Sequence, residues 1–422
     1  MPITTIGGYQ LGKILIEGKT KKVYDLPDHP GLCLLLSKDR ITAFDGLKAH
    51  ELQGKAAISN TTNGLVFRLL NEAGIRTAYV DQCGDNAFIA RKCKMVPIEW
   101  VTRRLATGSF IKINPEVPEG YRFAPPKQET CFKDDSSHDP LWCDEQILSS
   151  NFECNGLIIG ADEVQIMRHT SLVVFEVLER AWKTRNCALV DMKVEFGVDE
   201  DGNILLADII DSDTWRIWPA GDKRLMVDKT VYINLDTVTD GDLNTVKRNY
   251  SWVIEQLSSI EPPQNHLVVI LVSSAMDVAH GEQIATSLGS LGMEVVLRVC
   301  SALKNPEEAL QIVRTFEAVI DNLVFVTVDE RLNSVANLIS ANTSFPVINC
   351  TPLRSDTMFL NMWSNSNPTS DPEAAAKHVA SLLGLGNFMI WSKLRVNKLN
   401  NQIAIKKIDT KLRSIRHSPK SS

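Results

Sequence analysis

The chain has 422 residues, a formal net charge of −6, 44% hydrophobic residues and 23% charged residues. Such a length exceeds one ordinary core and predicts two or three domains, and the negative balance argues against a general nucleic-acid binder. The nine cysteines are scattered and form no C-x-x-C pair, which fits reduced thiols in a cytoplasmic protein better than a disulfide framework or a zinc site.

The opening MPITTIGGYQ has neither the basic nor the apolar region of a secretory signal. The longest strongly apolar run, Leu267–Val272, is too short to span a bilayer, so no membrane partner is expected. Residues 10–26 read as a hairpin carrying Gly18, Lys19, Thr20, Lys21 and Lys22. Glycine there permits close backbone approach and the lysines suit phosphate oxygens. Taken alone, the stretch reads better as an exposed lysine-rich hairpin, since the G-x-x-x-x-G-K-[ST] loop is absent.

Residues 32–37 read as a strand, 54–71 as a helix, and 93–100 as an extended connection interrupted by Pro97. Arg103 and Arg104 then precede the small residues Ala106 to Ser109, a composition suited to a phosphate or carboxylate gripped bidentately. The alternative is a strand with two surface arginines. Residues 114–138, rich in Pro, Asp and Lys, predict a long surface segment. Residues 162–182 read as an amphipathic helix; His169 within it has no partner at metal-ligand spacing and is read as structural.

The stretch 189–218 has the densest chemistry. Asp191, Lys193 and Glu195 alternate with Val190, Met192, Val194 and Phe196, which predicts a strand with one polar and one apolar face. Asp201 and Gly202 signal a tight turn into a returning strand at 204–208. That turn would set Glu195 directly opposite Asp208, and two facing carboxylates repel unless a cation lies between them. A hard ion with oxygen ligands, Mg²⁺, is the expected occupant. Asp211, Asp213 and Arg216 follow closely. Read without that ion, the same stretch is a solvated hairpin with a charged outer face.

A helix at 242–257 is followed at 261–266 by the clearest boundary in the chain. The expected division is therefore 1–260, a linker at 261–266, and 267–422. From 267 onward, strands at 267–272, 294–299, 323–328 and 346–350 alternate with helices at 280–291, 306–319, 332–340 and 372–383. This predicts a parallel sheet covered on both faces, with ligand loops at the strand ends 273–277, 300–304 and 329–333. The tail 387–416 reads as a long helix. Its basic residues admit RNA binding, but its apolar stripe, from Phe388 to Leu412, is better suited to packing against another part of an assembly.

The first 260 residues closely resemble the SAICAR synthetase family. The resemblance rests on GKTKKVY at Gly18, SKDRITAFD at Ser37, GKAAIS at Gly54, RRLATGS at Arg103, DMKVEFG at Asp191 and LADIIDSDTWRIW at Leu206. The following segment is similar to class II AIR carboxylases, and the order of the two resembles the fused bifunctional purine enzymes of animals. The resemblance implies an α/β and α+β chain: a kinase-like, antiparallel-sheet, ATP-binding domain, then a three-layer, flavodoxin-like parallel-sheet domain. It implies an ATP- and Mg²⁺-dependent ligation of carboxyaminoimidazole ribonucleotide (CAIR) to L-aspartate through an acyl phosphate. By analogy Lys19 and Lys21 meet ATP phosphates, and Lys94 and Met95 face adenine. Arg103, Ser109 and Arg216 hold the nucleotide substrate, and Glu195 and Asp208 hold Mg²⁺. Lys193 neutralises developing charge, while Asp45 and Asp213 line the substrate site. Relatives of the second domain form octamers, which implies a homo-octamer with no nucleic-acid partner.

The second domain departs from its family pattern. G-S-x-S-D appears as Ser273, Ser274, Ala275, Met276 and Asp277, and S-A-H-[KR] as Ser301, Ala302, Leu303 and Lys304, which removes a histidine suited to proton transfer. A-G-R-S-N-G-L-G has become 329–336, with Glu330 replacing a glycine, Arg331 kept, and Leu332 at the family's CO₂ site. S-G-N-T reads Ser340, Ala341, Asn342 and Thr343. Lost glycines hinder backbone approach to phosphate. The expectation is a retained fold with a degenerate pocket that serves assembly; the alternative is a fully bifunctional enzyme.

Overall fold

The computed structural model describes residues 5–134, 139–262, 266–329, 334–352 and 367–417. By packing, the chain divides into one unit of Met1–Glu261 with Leu399–Ser422 and a second of Pro262–Lys398. The residues from Leu399 onward, read from sequence as part of the second domain, thus group with the first unit.

The first unit contains two five-stranded antiparallel sheets. One has the order Ile14–Glu17, Lys21–Asp25, Leu32–Ser37, Ala87–Arg91 and Tyr79–Gln82. The other runs Arg122–Phe132, Lys94–Leu105, Cys187–Val198 and Ile204–Ala207, with Trp215–Pro219 also pairing with Cys187–Val198. The sheets are tied where Ala78 donates its N–H to the Leu206 carbonyl and Leu206 donates to Arg76. The helix Ala161–Lys183 buries Met167, Val174, Leu178 and Trp182, as its spacing predicts.

Two expectations are corrected here. Residues 93–100 are no mere connection, for Lys94–Leu105 is one strand that absorbs Pro97 in a register irregularity between Met95 and Glu99. The supposed surface segment 114–138 contains the strand Arg122–Phe132. Its prolines are tolerated because it is the sheet's outermost strand, where missing N–H donors cost nothing to a neighbour.

The second unit is a parallel sheet in the order Val295–Val299, Leu267–Val272, Leu323–Val328, Val347–Cys350 and Asn367–Thr369, which is the flavodoxin-like order. Alternation along Leu267–Val272 sends Val268, Ile270 and Val272 into one core and Leu267, Val269 and Leu271 into the other. The first core packs the helices Val278–Ser290 and Pro372–Leu383, the second Pro306–Glu317 and Ser334–Ser340. Buried central strands with both faces covered account for their unbroken apolar runs.

Candidate active site

The site is built on one face of the second sheet of the first unit. Antiparallel pairing sets Glu99 opposite Glu195, Val101 opposite Lys193 and Arg103 opposite Asp191. Glu129 lies opposite Val101 and Arg216 opposite Asp191. Partners in an antiparallel pair share a face, so this polar row crosses four strands. The solvated-hairpin alternative fails, because Asp191 and Glu195 are each only 3% exposed.

The register with the returning strand differs by one from that expected. Glu195 pairs with Ala207, and Asp208 follows beyond the strand end. The reason is the turn: 199–203 forms a longer loop in which the Asp199 carboxylate accepts from the N–H groups of Asp201 and Asn203. Asp208 then adopts a left-handed backbone, φ 59°, which breaks strand alternation and re-aims its side chain.

Lysines balance these acids. Lys193 ion-pairs with Glu99 and lies 3.5 Å from Glu195. Lys133 sits 2.7 Å from Glu195, and Lys21 ion-pairs with Asp208. Burial alone would raise the pKa of Glu195, but Lys193, Lys133 and Lys21 outweigh it and hold the group below the usual carboxylate range. Glu99 goes the other way, since burial exceeds what Lys193 restores. Burial brings Lys21 down to about 8 against the opposing pull of Glu195. The hairpin that delivers Lys21 is braced by Lys38, which bonds Glu17 at 2.8 Å and the Gly18 carbonyl at 2.9 Å. Lys19 lies in its turn.

Beside this cluster Cys93 and Met95 pack against Ala78, Leu205 and Ala207. A side chain at Gly197 would come within 2.6 Å of Cys93 Cβ, so glycine keeps this apolar patch accessible to Met95. Lys94, next to Met95, pairs across to Val198 on the neighbouring strand.

At the other end of the row Asp191 joins two guanidinium groups. It pairs with Arg103 and lies 2.5 Å from Arg216. Arg103 also meets Glu129 at 2.6 Å and Ser109 Oγ at 3.1 Å. Arg104 points away and is held by both oxygens of Glu179 on the helix Ala161–Lys183. Only one of the two sequence-adjacent arginines therefore belongs to the site. Gly108, at φ 61°, lies where a Cβ would be 2.6 Å from Arg216. A cavity of about 230 Å³ opens beside it, lined among others by Thr107, Glu119, Arg216, Trp218 and Lys223.

The loop after Asp208 is held from below by the helix Lys55–Ala73. Asn63 accepts the N–H of Ile210 at 2.9 Å, Ser59 donates to Asp211 at 2.5 Å and Lys55 to Asp213 at 2.8 Å. Asp45 falls in the short turn Phe44–Gly46, and its side chain lies outside the described residues.

The residues missed by sequence reasoning are Glu99, Lys133, Asp191 and Lys55. Lys55 and Asp191 lay within motifs without an assigned role. Glu99 and Lys133 reach the site only through strand pairings between distant segments.

Of the second-domain residues, Leu303 is 70% exposed and Asp277 is 1% exposed. Ser274 accepts the N–H of Met276 at 3.2 Å, Lys304 donates its N–H to the Ser301 carbonyl, and Asn342 bonds the Leu338 carbonyl at 2.8 Å. Arg331 and Leu332 lie outside the described residues.

The SAICAR synthetase family profile matches residues 14–249 and the AIR carboxylase profile residues 267–403. The chain is 67% identical to the bifunctional phosphoribosylaminoimidazole carboxylase/phosphoribosylaminoimidazole succinocarboxamide synthetase of Drosophila melanogaster, over 98% of each chain. To the Homo sapiens protein of the same description it is 46% identical, over 96% of this chain and 97% of the other. A solved SAICAR synthetase in complex with ADP is 32% identical, covers 59% of this chain and 99% of its own, and superposes with a TM-score of 0.52. The chain belongs to the SAICAR synthetase family, in the bifunctional form in which an AIR carboxylase domain follows the synthetase.

Proposed function

We propose that the first unit joins CAIR to L-aspartate with ATP, giving SAICAR, ADP and phosphate. The observation that carries this reading is the row in which the partly exposed Lys193, Lys133 and Lys21 surround the buried Glu195 and Glu99 and the partly exposed Asp208. A carboxylate is a poor acyl donor, because its leaving group would be oxide. Attack of the CAIR carboxylate on the γ-phosphorus of ATP gives an acyl phosphate and releases ADP. The aspartate amine then attacks the acyl carbon, loses a proton and displaces phosphate. Positioning and charge neutralisation supply the rate of the first step, and the three lysines are where the transferring group's charge is met.

The donor set also suits Mg²⁺. Glu195 and Asp208 offer hard oxygen ligands and Glu195 is held ionised. Mg²⁺ is usually held by one or two carboxylates plus substrate phosphates; when bound here, it would neutralise phosphate charge. Lys19 and Lys21 attend the phosphates, and Lys94 and Met95 with the patch around Ala207 face adenine. Arg103, Ser109 and Arg216 orient the nucleotide substrate, while Asp45 and Asp213 line the substrate site.

The test is ADP release by the purified protein. Multiple-turnover release is expected only with CAIR, aspartate, ATP and Mg²⁺ together, since without the amine each site can form acyl phosphate and ADP once at most. Tight binding of ATP and CAIR without aspartate-dependent turnover would make the chain a nucleotide sensor instead.

For the second unit the reading is a cytoplasmic assembly platform with little carboxylase activity, forming an octamer as its family relatives do. Active carboxylation is the second reading, favoured by the names of the relatives, which carry both activities.

A further inference from the structure

Asp213 is gripped from two helices. Lys55, at the start of Lys55–Ala73, donates to Oδ2 at 2.8 Å. Tyr250, on Asp240–Ser258, donates its hydroxyl to Oδ1 at 2.8 Å. Both donors are interior, Lys55 at 3% and Tyr250 at 1% exposure, whereas the Asp213 side chain retains 15%. A buried lysine is an expensive way to join two helices, since apolar residues of similar volume serve as well or better. Tyr250 also lies one residue beyond the segment that matches the synthetase family, so no motif assigns it a role.

The neighbourhood sharpens the argument. The titratable groups facing Asp213 are Lys55, Lys229, Tyr250 and Asp211; behind them Asp39 acts on Lys55 and Asp228 on Tyr250. Burial would raise Asp213, but Lys55, Lys229 and the Tyr250 hydroxyl hold it well below the usual range. Asp211 shifts upward, through burial and the charge of Asp213. A carboxylate with each oxygen bonded at 2.8 Å is fixed in orientation, and while ionised it accepts charge-assisted hydrogen bonds. The chemistry that suits it is orienting an amine, not abstracting its proton.

We propose that Lys55 and Tyr250 are positioning residues of the synthetase: they fix the Asp213 carboxylate in one orientation, so that its exposed edge accepts a hydrogen bond from the attacking amine of aspartate. The proposal rests on the ligase reading above. It predicts that Tyr250→Phe, which keeps the buried ring, raises the KM for aspartate about tenfold, as expected for one hydrogen bond to a charged group. The KM for ATP should stay within about twofold on the same grounds. The loss should fall on the KM for aspartate far more than on kcat at saturating aspartate, since the oriented carboxylate is used in binding the amine as well as in its attack. Lys55→Met should do the same more strongly; if it does not fold, Tyr250→Phe decides alone. A Tyr250→Phe protein with lowered thermal stability but an unchanged aspartate KM would make the pair a structural strut and overturn the proposal. Absence of aspartate-dependent ADP release in the wild type would instead overturn the ligase reading, and this inference with it.

Discussion

Glu99 and Glu195 face each other across two strands, and their surroundings push them apart. Lys133 and Lys193 both reach Glu195, so it stays ionised, while Glu99 is raised by burial. Divergent carboxylates of this kind mark divided roles. Replacing the ionised member should therefore cost far more. Glu195→Gln should lower kcat by about 100-fold or more, the scale of losing one preorganised electrostatic group, whereas Glu99→Gln should cost much less because it retains an acceptor for Lys193. Equal losses in steady-state assays of the two variants would refute the division. Glu195 and Lys193 were legible from strand alternation alone. Glu99 and Lys133 were not, because no local pattern reveals which distant strand lies alongside.

At the scale of elements, apolar runs and helical spacing were read well: Leu267–Val272, Leu323–Val328 and Pro372–Leu383 fall where periodicity placed them. Composition misled at Arg122–Phe132, where prolines and charges disguise an edge strand. Turn chemistry misled at 199–203, where Asp199 organises a longer loop and shifts the register by one. The final helix is Phe388–His417, whose apolar stripe is read as a face for another part of an assembly. Within this chain Leu399 and Ile403 are buried while Ile405, Ile408 and Leu412 are exposed. Polar contacts hold the exposed stretch. Lys406 and Thr410 bond Asp162 at 2.8 and 2.9 Å, and Arg413 pairs with it too. The hydrogen bonds from Lys406 and Thr410, joined by Arg413, lower the Asp162 pKa to about 2. A carboxylate depressed on folding contributes stability above its ordinary pKa of about 4 and loses it as pH falls toward 2. Asp162→Asn should therefore speed hydrogen exchange in residues 399–413 at neutral pH, after correction for intrinsic rates. The wild type should approach the variant between about pH 4 and pH 2. Identical protection in the two proteins at pH 7 would show that the clamp contributes nothing.

At the scale of the whole molecule, the question is whether both halves of a two-activity architecture are catalytic. Carboxylation of aminoimidazole ribonucleotide needs a pocket that grips its phosphate, confines CO₂ beside the ring and manages a proton. The family pattern meets those needs with glycines at strand-end turns, a small polar residue and a histidine. Here Leu303 stands where the histidine belongs and is 70% exposed, and no hydrocarbon side chain transfers protons. Asp329, at the next strand end, accepts from Ser273 Oγ at 3.0 Å and from the Val335 N–H at 3.2 Å; in the family pattern its position belongs to alanine, not to an anion. Leu332 and Glu330 add bulk and negative charge, by sequence, where a phosphate ester and CO₂ would enter. One such change can be compensated by a neighbour that rotates in; changes at three strand ends are harder to repair, which is what supports the reading of a degenerate pocket. The fold, by contrast, needs only the apolar cores on the two faces of the sheet, and those are complete. The expected result is that the full chain forms CAIR from aminoimidazole ribonucleotide and bicarbonate no faster than the uncatalysed reaction, while the same preparation converts supplied CAIR and runs as an oligomer in light scattering. Carboxylation at a rate comparable with the synthetase would restore the bifunctional reading, and a monomer at micromolar concentration would remove the assembly role. A carboxylation null beside an active synthetase would mean that CAIR reaches this enzyme from a separate carboxylating catalyst.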